Sequence, residues 1–254
     1  MLIVNADDWG RCRAETDAAL ECYKKGRITS VSAMVFMEDS ERAAAIARDH
    51  KLDAGLHLNF TDSFTNPVSA ALKTSHRRTA RFLGGSKYAQ LIYNPLLRSN
   101  FACSYRAQAD EFQRLYGKLP SRVDGHHHMH LCGNILFSSL IPVGTRVRRN
   151  FSFWPGEKSS FNRAYRSLVD RWLARKYRLT DYFFDLTQCM QENKWRRIAA
   201  LARSGDVELM THPVDQEEQA YLASGDFYAF LQQVQLGSYK VDHFQCPAVS
   251  PSVA

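Results

Sequence analysis

Four short stretches gather the side chains of this chain that could hold a metal or move a proton. They are Asn5-Ala6-Asp7-Asp8-Trp9-Gly10, Gly55-Leu56-His57-Leu58-Asn59, Asp124-Gly125-His126-His127-His128-Met129-His130 and Glu208-Leu209-Met210-Thr211-His212-Pro213. Asp7 and Asp8 follow the apolar run Leu2-Ile3-Val4. An ionised carboxylate buried there costs several kcal/mol unless it is paired or bound to a metal. Alone, the pair reads equally well as a turn cap before the next helix. The three later stretches tip the balance, because each sets a His at the end of an apolar or β-prone run. One of the two carboxylates with the imidazoles of His57 and His126 makes a three-ligand set with open positions, as a hydrolytic metal requires. Nitrogen-rich ligation favours one zinc-like divalent ion, with magnesium the alternative. The other Asp is then free to act as a base. His50, His76, His127 and His243 read as structural histidines.

The chain must position these groups at one end of a sheet. Strands are expected at 1–6, 30–36, 54–58, 122–124, 145–149, 182–184 and 207–211, with helices at about 14–25, from Asp39 or Ser40 onward, 102–116, 133–140, 159–177, 191–203 and 224–235. Such alternation argues a parallel sheet with helices outside. At 254 residues the chain suits a distorted or incomplete (β/α) barrel, ahead of an open doubly wound sheet. In a barrel, functional groups sit at the C-terminal ends of the strands, where all four stretches fall on this reading. Successive strand side chains point to opposite faces, so Asp7 and Asp8 share a site only if the chain turns, and Trp9-Gly10 offers the break. By the same parity, few of the histidines from His126 to His130 can reach one metal. Residues 60–100 carry Pro67, Gly84-Gly85 and Pro95 and are expected to be irregular, a lid closing over the site. On helix 159–177, Phe161, Tyr165, Leu168 and Trp172 form one stripe, expected to face the core.

Composition is that of a globular protein, with 45% hydrophobic and 23% charged residues, and one domain over 1–254 is expected. The chain shows no apolar run of membrane-spanning length and, with charge from position 5, no secretory leader is expected. The six cysteines lack Cys-x-x-Cys spacing and read as reduced thiols of a cytoplasmic protein. The net charge of +7 is uneven: Thr145 to Arg178 holds ten Lys or Arg against Glu157 and Asp170, and a second cluster is His76-Arg77-Arg78 with Arg81. These patches suit anions, but no recognisable module accompanies them, so no nucleic-acid partner is expected.

In order and spacing, the four stretches resemble the YdjC family of carbohydrate deacetylases, including its ChbG and HpnK groups. The match runs from residue 2 to about 215; the tail beyond Gly237 has no counterpart. The resemblance implies a distorted (β/α) barrel holding a divalent metal through an Asp and two His. It assigns Asp8, His57 and His126 as ligands, Asp7 as general base and His212 as the acid that protonates the leaving amine. The family's Val-Arg after a central strand resembles Val147-Arg148, which implies that Arg148 contacts substrate. The family often has Gln where His127 stands, so His128 is the alternative third ligand. The implied substrate is an acetylated amino sugar, free or carried on a lipid at a membrane surface. A metal-dependent phosphoester hydrolase is the second reading, short of carboxylates for two metals. A basic nucleic-acid-binding protein is the third.

Overall fold

The computed structural model describes residues 1–191 and 194–239. Its first half runs β1 (Leu2–Trp9), α1 (Arg13–Lys24), β2 (Ser30–Ala33), α2 (Ser40–Asp49), β3 (Asp53–Leu58), α3 (Ala70–Gly84), α4 (Arg98–Tyr116) and β4 (Val123–Gly125). Next come α5 (Gly133–Leu136), α6 (Ser160–Leu173), β5 (Tyr182–Asp185), α7 (Leu186–Gln191), α8 (Trp195–Ser204), β6 (Val207–Thr211), α9 (Gln216–Ala223) and α10 (Gly225–Leu231). Short 3-10 turns lie at Ala89–Leu91, Pro95–Leu97 and His126–Leu131.

Six parallel strands in the order β4-β3-β2-β1-β6-β5 curl into a half-barrel with helices outside, the incomplete barrel that the alternation implied. β1 lies at the centre because all eight of its residues are buried. Leu2, Val4 and Ala6 join Val31, Ala33, Ala54 and Leu56 in the apolar core under the helices. Each fully buried aliphatic side chain contributes about 1.5–3 kcal/mol. A one-residue slip would turn this set inward, so burial fixes the register. Asn5 and Asp7, on the opposite parity, face the barrel interior.

That interior is polar. Arg122 crosses it to reach Asn5 Oδ1, Ser32 Oγ and Asp124, and its guanidinium lies over the Tyr239 ring. A glycine on β3 makes room: a Cβ at Gly55 would stand 2.6 Å from Arg122 Cγ. A Cβ at Gly125 would stand 2.8 Å from His130 N, so this second glycine lets the His126–Leu131 turn fold back onto β4.

The structure departs from several expectations. Residues 60–100 are irregular only in part, since α3 occupies fifteen of them and buries Leu72, His76, Thr79 and Leu83. Pro67 precedes this helix and Gly84-Gly85 ends it, so the breakers mark its bounds and do not interrupt it. The stretch 145–149 is no regular strand. Val147 and Arg146 make single bridges to Val123 and Arg178, while Ser152 Oγ accepts from Phe183 N, so the segment spans the gap between the edge strands β4 and β5. β2 stops at Ala33, and Phe36 adopts φ 61°. The last helix, expected at 224–235, is α10 and ends at Leu231, while α9 before it was not expected. Most of the stripe on α6 is not core: Phe161 is 83% and Leu168 62% exposed and Tyr165 is exposed too, while Trp172 packs partly buried against the core, and only Asp170 and Leu173 of the helix are buried. The tail with Cys246-Pro247, and His243 with it, lies outside the described residues.

Candidate active site

Asp7 and Asp8 share one site through a bulge. Ala6 pairs with Val31 and Trp9 with Ala33, so Asp7 and Asp8 together oppose the single residue Ser32. Asp8 adopts φ 61°, a left-handed conformation that Asp tolerates better than most residues. The break expected at Trp9-Gly10 therefore falls one residue earlier, at Asp8, and β1 continues to Trp9.

Asp8 is the point on which two imidazoles converge. His57 Nε2 lies 3.3 Å and His126 Nδ1 2.8 Å from Asp8 Oδ1, and all three residues are buried. That oxygen has no hydrogen-bond partner despite the close approach. Asp8 Oδ1, His57 Nε2 and His126 Nδ1 thus gather into a group that could hold a metal ion. Each imidazole is also backed by a carboxylate on its other nitrogen. Asp124 Oδ1 sits 2.7 Å from His57 Nδ1, because register sets His57 beside Asp124 on the next strand. Asp62 Oδ2 lies 3.2 Å from His126 Nε2. A carboxylate behind a ligating His fixes its tautomer and raises its basicity. The donor set of one carboxylate and two imidazoles fits a zinc-like divalent ion.

Electrostatics agree. Burial alone would lower the His57 pKa, but the carboxylates of Asp7, Asp124 and Asp8 push it up to about 10. Burial would raise Asp8, yet His126 and His57 hold its carboxyl well below the ordinary range. Three carboxylates around one imidazole favour positive charge at this spot.

Asp7 belongs to a second, ionic layer. Its oxygens accept two 2.7 Å bonds from the Arg148 guanidinium and one from Asn5 Nδ2 at 2.7 Å. Burial pushes Asp7 up, but Arg148 and His57 outweigh it and keep the carboxyl below its usual value. Arg148 also bonds Glu208 at 2.8 Å and lies 3.2 Å from Asp124. Its side chain is fully buried, so it points at Asp7 and the barrel interior and not at open solvent.

The third motif is divided by its backbone. His127 and His128 take φ 52° and 58°. His126 turns to Asp8, while His128 turns to the rings of Phe151 and Phe183 at 4.6 and 5.9 Å. Among the described residues His128 joins none of the groups able to hold a metal. Burial lowers His128 to about 3 and His130 to about 4, and His130 Nε2 lies 3.0 Å from Arg148 O. His212 follows β6, one residue beyond the pairing of Thr211 with Ala6. It is half-buried, and its N–H donates to Glu218 Oε2 at 2.5 Å. Among the described residues, no hydrogen bond, ion pair or ring contact joins its ring to the Asp8 cluster.

Asp62, Asp124, Arg122, Ser32 and Glu208 had no role in the sequence reading. Asp124 and Glu208 lie inside two of the motifs and Arg122 two residues before Asp124, a signal available in principle. Asp62 had none, because only the fold brings it to His126.

Residues 1–239 match the family model described as YdjC-like protein. A carbohydrate deacetylase of Mus musculus is 27% identical over 245 residues, which cover 84% of this chain and 77% of that protein. One of Danio rerio is 30% identical over 137 residues, 53% of this chain and 43% of the other, so the match spans less than half of that relative. A chitooligosaccharide deacetylase of Proteus mirabilis is 31% identical over 144 residues, 56% of this chain and 53% of its own length. The crystal structure of a provisionally named cellobiose-phosphate cleavage protein from Enterococcus faecalis superposes with a TM-score of 0.63 at 19% identity, covering 94% of this chain and 97% of the other. That likeness concerns the fold.

Proposed function

The chain belongs to the YdjC-like family, and on that premise we propose that it is a metal-dependent carbohydrate deacetylase, removing an N-acetyl group from an acetylated amino sugar. The observation that carries the reading is the convergence of His57 and His126 on the unpartnered Asp8 Oδ1. Asp8, His57 and His126 would hold one divalent ion, zinc by donor type. When bound, that ion acts as a Lewis acid toward the amide carbonyl and acidifies water. Asp7 takes the proton from the attacking water, its carboxylate fixed in direction by the two-pronged Arg148 bond. His212, which follows β6 beside β1, gives a proton to the leaving amine, and acetate and a free amine result. Arg148 in this scheme orients the base and does not touch the sugar. A two-metal phosphoester hydrolase is the weaker reading, since Asp7 is tied to Arg148 and Asp124 to Arg122 and His57.

The test is mass spectrometry of N-acetylated amino sugars after incubation with the metal-loaded protein, scored for loss of one acetyl group. Asp8→Asn should empty the site and abolish release, whereas Asp7→Asn should keep the metal and lower kcat by roughly 10²–10⁴-fold. If Asp7→Asn empties the site and Asp8→Asn does not, the roles are reversed. Acetyl release untouched by either change refutes the mechanism.

A further inference from the structure

One face of the molecule, away from the interior network, combines exposed apolar side chains with unopposed positive charge. Phe137 and Leu168, 65% and 62% exposed, line a groove of about 460 Å³ between α5 and α6. Phe161, 83% exposed, stands one turn before the lining residue Tyr165, and Leu96, 86% exposed, lies two residues from Asn94, which bonds Asn134 of α5. Tyr93, Phe137 and Trp172 form an edge-to-face series across it, at 6.3 and 5.8 Å. Arg171 and Arg175 line the groove, and Lys87, Arg98 and Lys158 are exposed on the flanking segments. Across 85–98, 133–149 and 158–178 the one acidic residue is Asp170, which is buried and bonded to Arg149 and Asn150. Monomeric proteins seldom leave large apolar side chains clustered on the surface without a partner.

We propose that this face docks on the surface of an anionic lipid bilayer. α6 has the required form: it lies on the fold with two buried residues, presents aromatic and aliphatic side chains outward, and flanks them with arginines. Helices of this kind sit in the headgroup region, apolar side chains dipping toward the acyl boundary while long cations reach the phosphates. No described helix is long and apolar enough to cross a membrane, so attachment would be peripheral. Charge decides against a second copy of the chain, because two such faces would oppose cation to cation. Apolar groups decide against nucleic acid, since aliphatic Leu96, Leu168 and Ile92 have nothing to gain from a phosphate backbone.

Flotation of the full-length protein with vesicles of phosphatidylcholine alone, and of phosphatidylcholine with phosphatidylglycerol, tests this. The protein should float with the anionic vesicles only, and less as salt rises. A lysine or arginine near such a surface is worth about fivefold in partitioning, so Arg171→Ala/Arg175→Ala should lower it about 25-fold. Phe161→Ser/Leu168→Ser, at side chains already in solvent, should abolish flotation with circular dichroism unchanged. Equal flotation with neutral vesicles, or undiminished flotation of both variants, overturns the proposal. So does light scattering that shows a dimer which Phe161→Ser/Leu168→Ser dissociates, because the face would then be covered by a second copy.

Discussion

Replacing Arg148 by Met should expose how the barrel interior is held together. The Arg148 side chain is fully buried and serves three acids, with two 2.7 Å bonds to Asp7, one of 2.8 Å to Glu208 and Asp124 at 3.2 Å. Met fills similar volume and bonds none of them. Asp7 would then keep His57 at 3.9 Å and Asp124 would keep His57 at 2.7 Å and Arg122 at 3.3 Å, while Glu208 would lose its bond to a guanidinium. Stripping one partner from a buried ionic group typically costs about 3–5 kcal/mol, out of a total stability of about 5–15 kcal/mol. The deficit should depend on pH, and its sign follows from Asp7. In the wild type the Asp7 pKa is lowered from 3.8, so its ionisation supports folding above that value and the support is lost as pH falls through the lower folded value. Without Arg148, burial dominates and the pKa rises, so ionisation above 3.8 opposes folding. Urea unfolding of both proteins at about pH 5 and about pH 8 should therefore show the larger deficit at the higher pH. Arg148→Met/Asp7→Asn should recover more than roughly 1 kcal/mol of it, a coupling expected of residues in contact. A deficit below about 1 kcal/mol, or one that shrinks as pH rises, would refute this account of the network.

Gly55→Ala should destabilise by roughly 1–3 kcal/mol in thermal or urea unfolding, because its Cβ would meet Arg122 at 2.6 Å; a neutral result would mean that Arg122 has another low-energy path. Asp62→Asn should weaken metal affinity about 10–100-fold in chelator competition, since it removes the carboxylate behind His126; unchanged affinity would take His126 out of the ligand set. His130 is neutral when buried, with its pKa lowered from 6.5 to about 4, so stability should fall as pH drops through that window, by up to roughly 3 kcal/mol. His130→Gln should be less stable near neutrality yet lose stability less steeply over the same window, as urea midpoints would report.

Residue type and spacing alone led to the barrel class and to a set of one carboxylate from the Asp7-Asp8 pair with His57 and His126; the choice of Asp8 came from the family resemblance. Both rest on patterns that a chain carries locally: strand–helix alternation, and polar groups placed at strand ends where burial makes them improbable without a partner. The β1 bulge was beyond reach, because whether adjacent aspartates share a face depends on the register against β2, and it placed the turn at Asp8 and not at Trp9-Gly10. The family resemblance made Arg148 a substrate contact; its burial against Asp7 follows from the segment 145–152 crossing between two edge strands. α3 escaped notice since its basic surface hides a narrow buried stripe. The stripe of α6 was legible as apolar, but periodicity says only that residues share a face. What that face meets is decided by the elements packed around it, and here the described chain covers Trp172 in part but leaves Phe161, Tyr165 and Leu168 exposed.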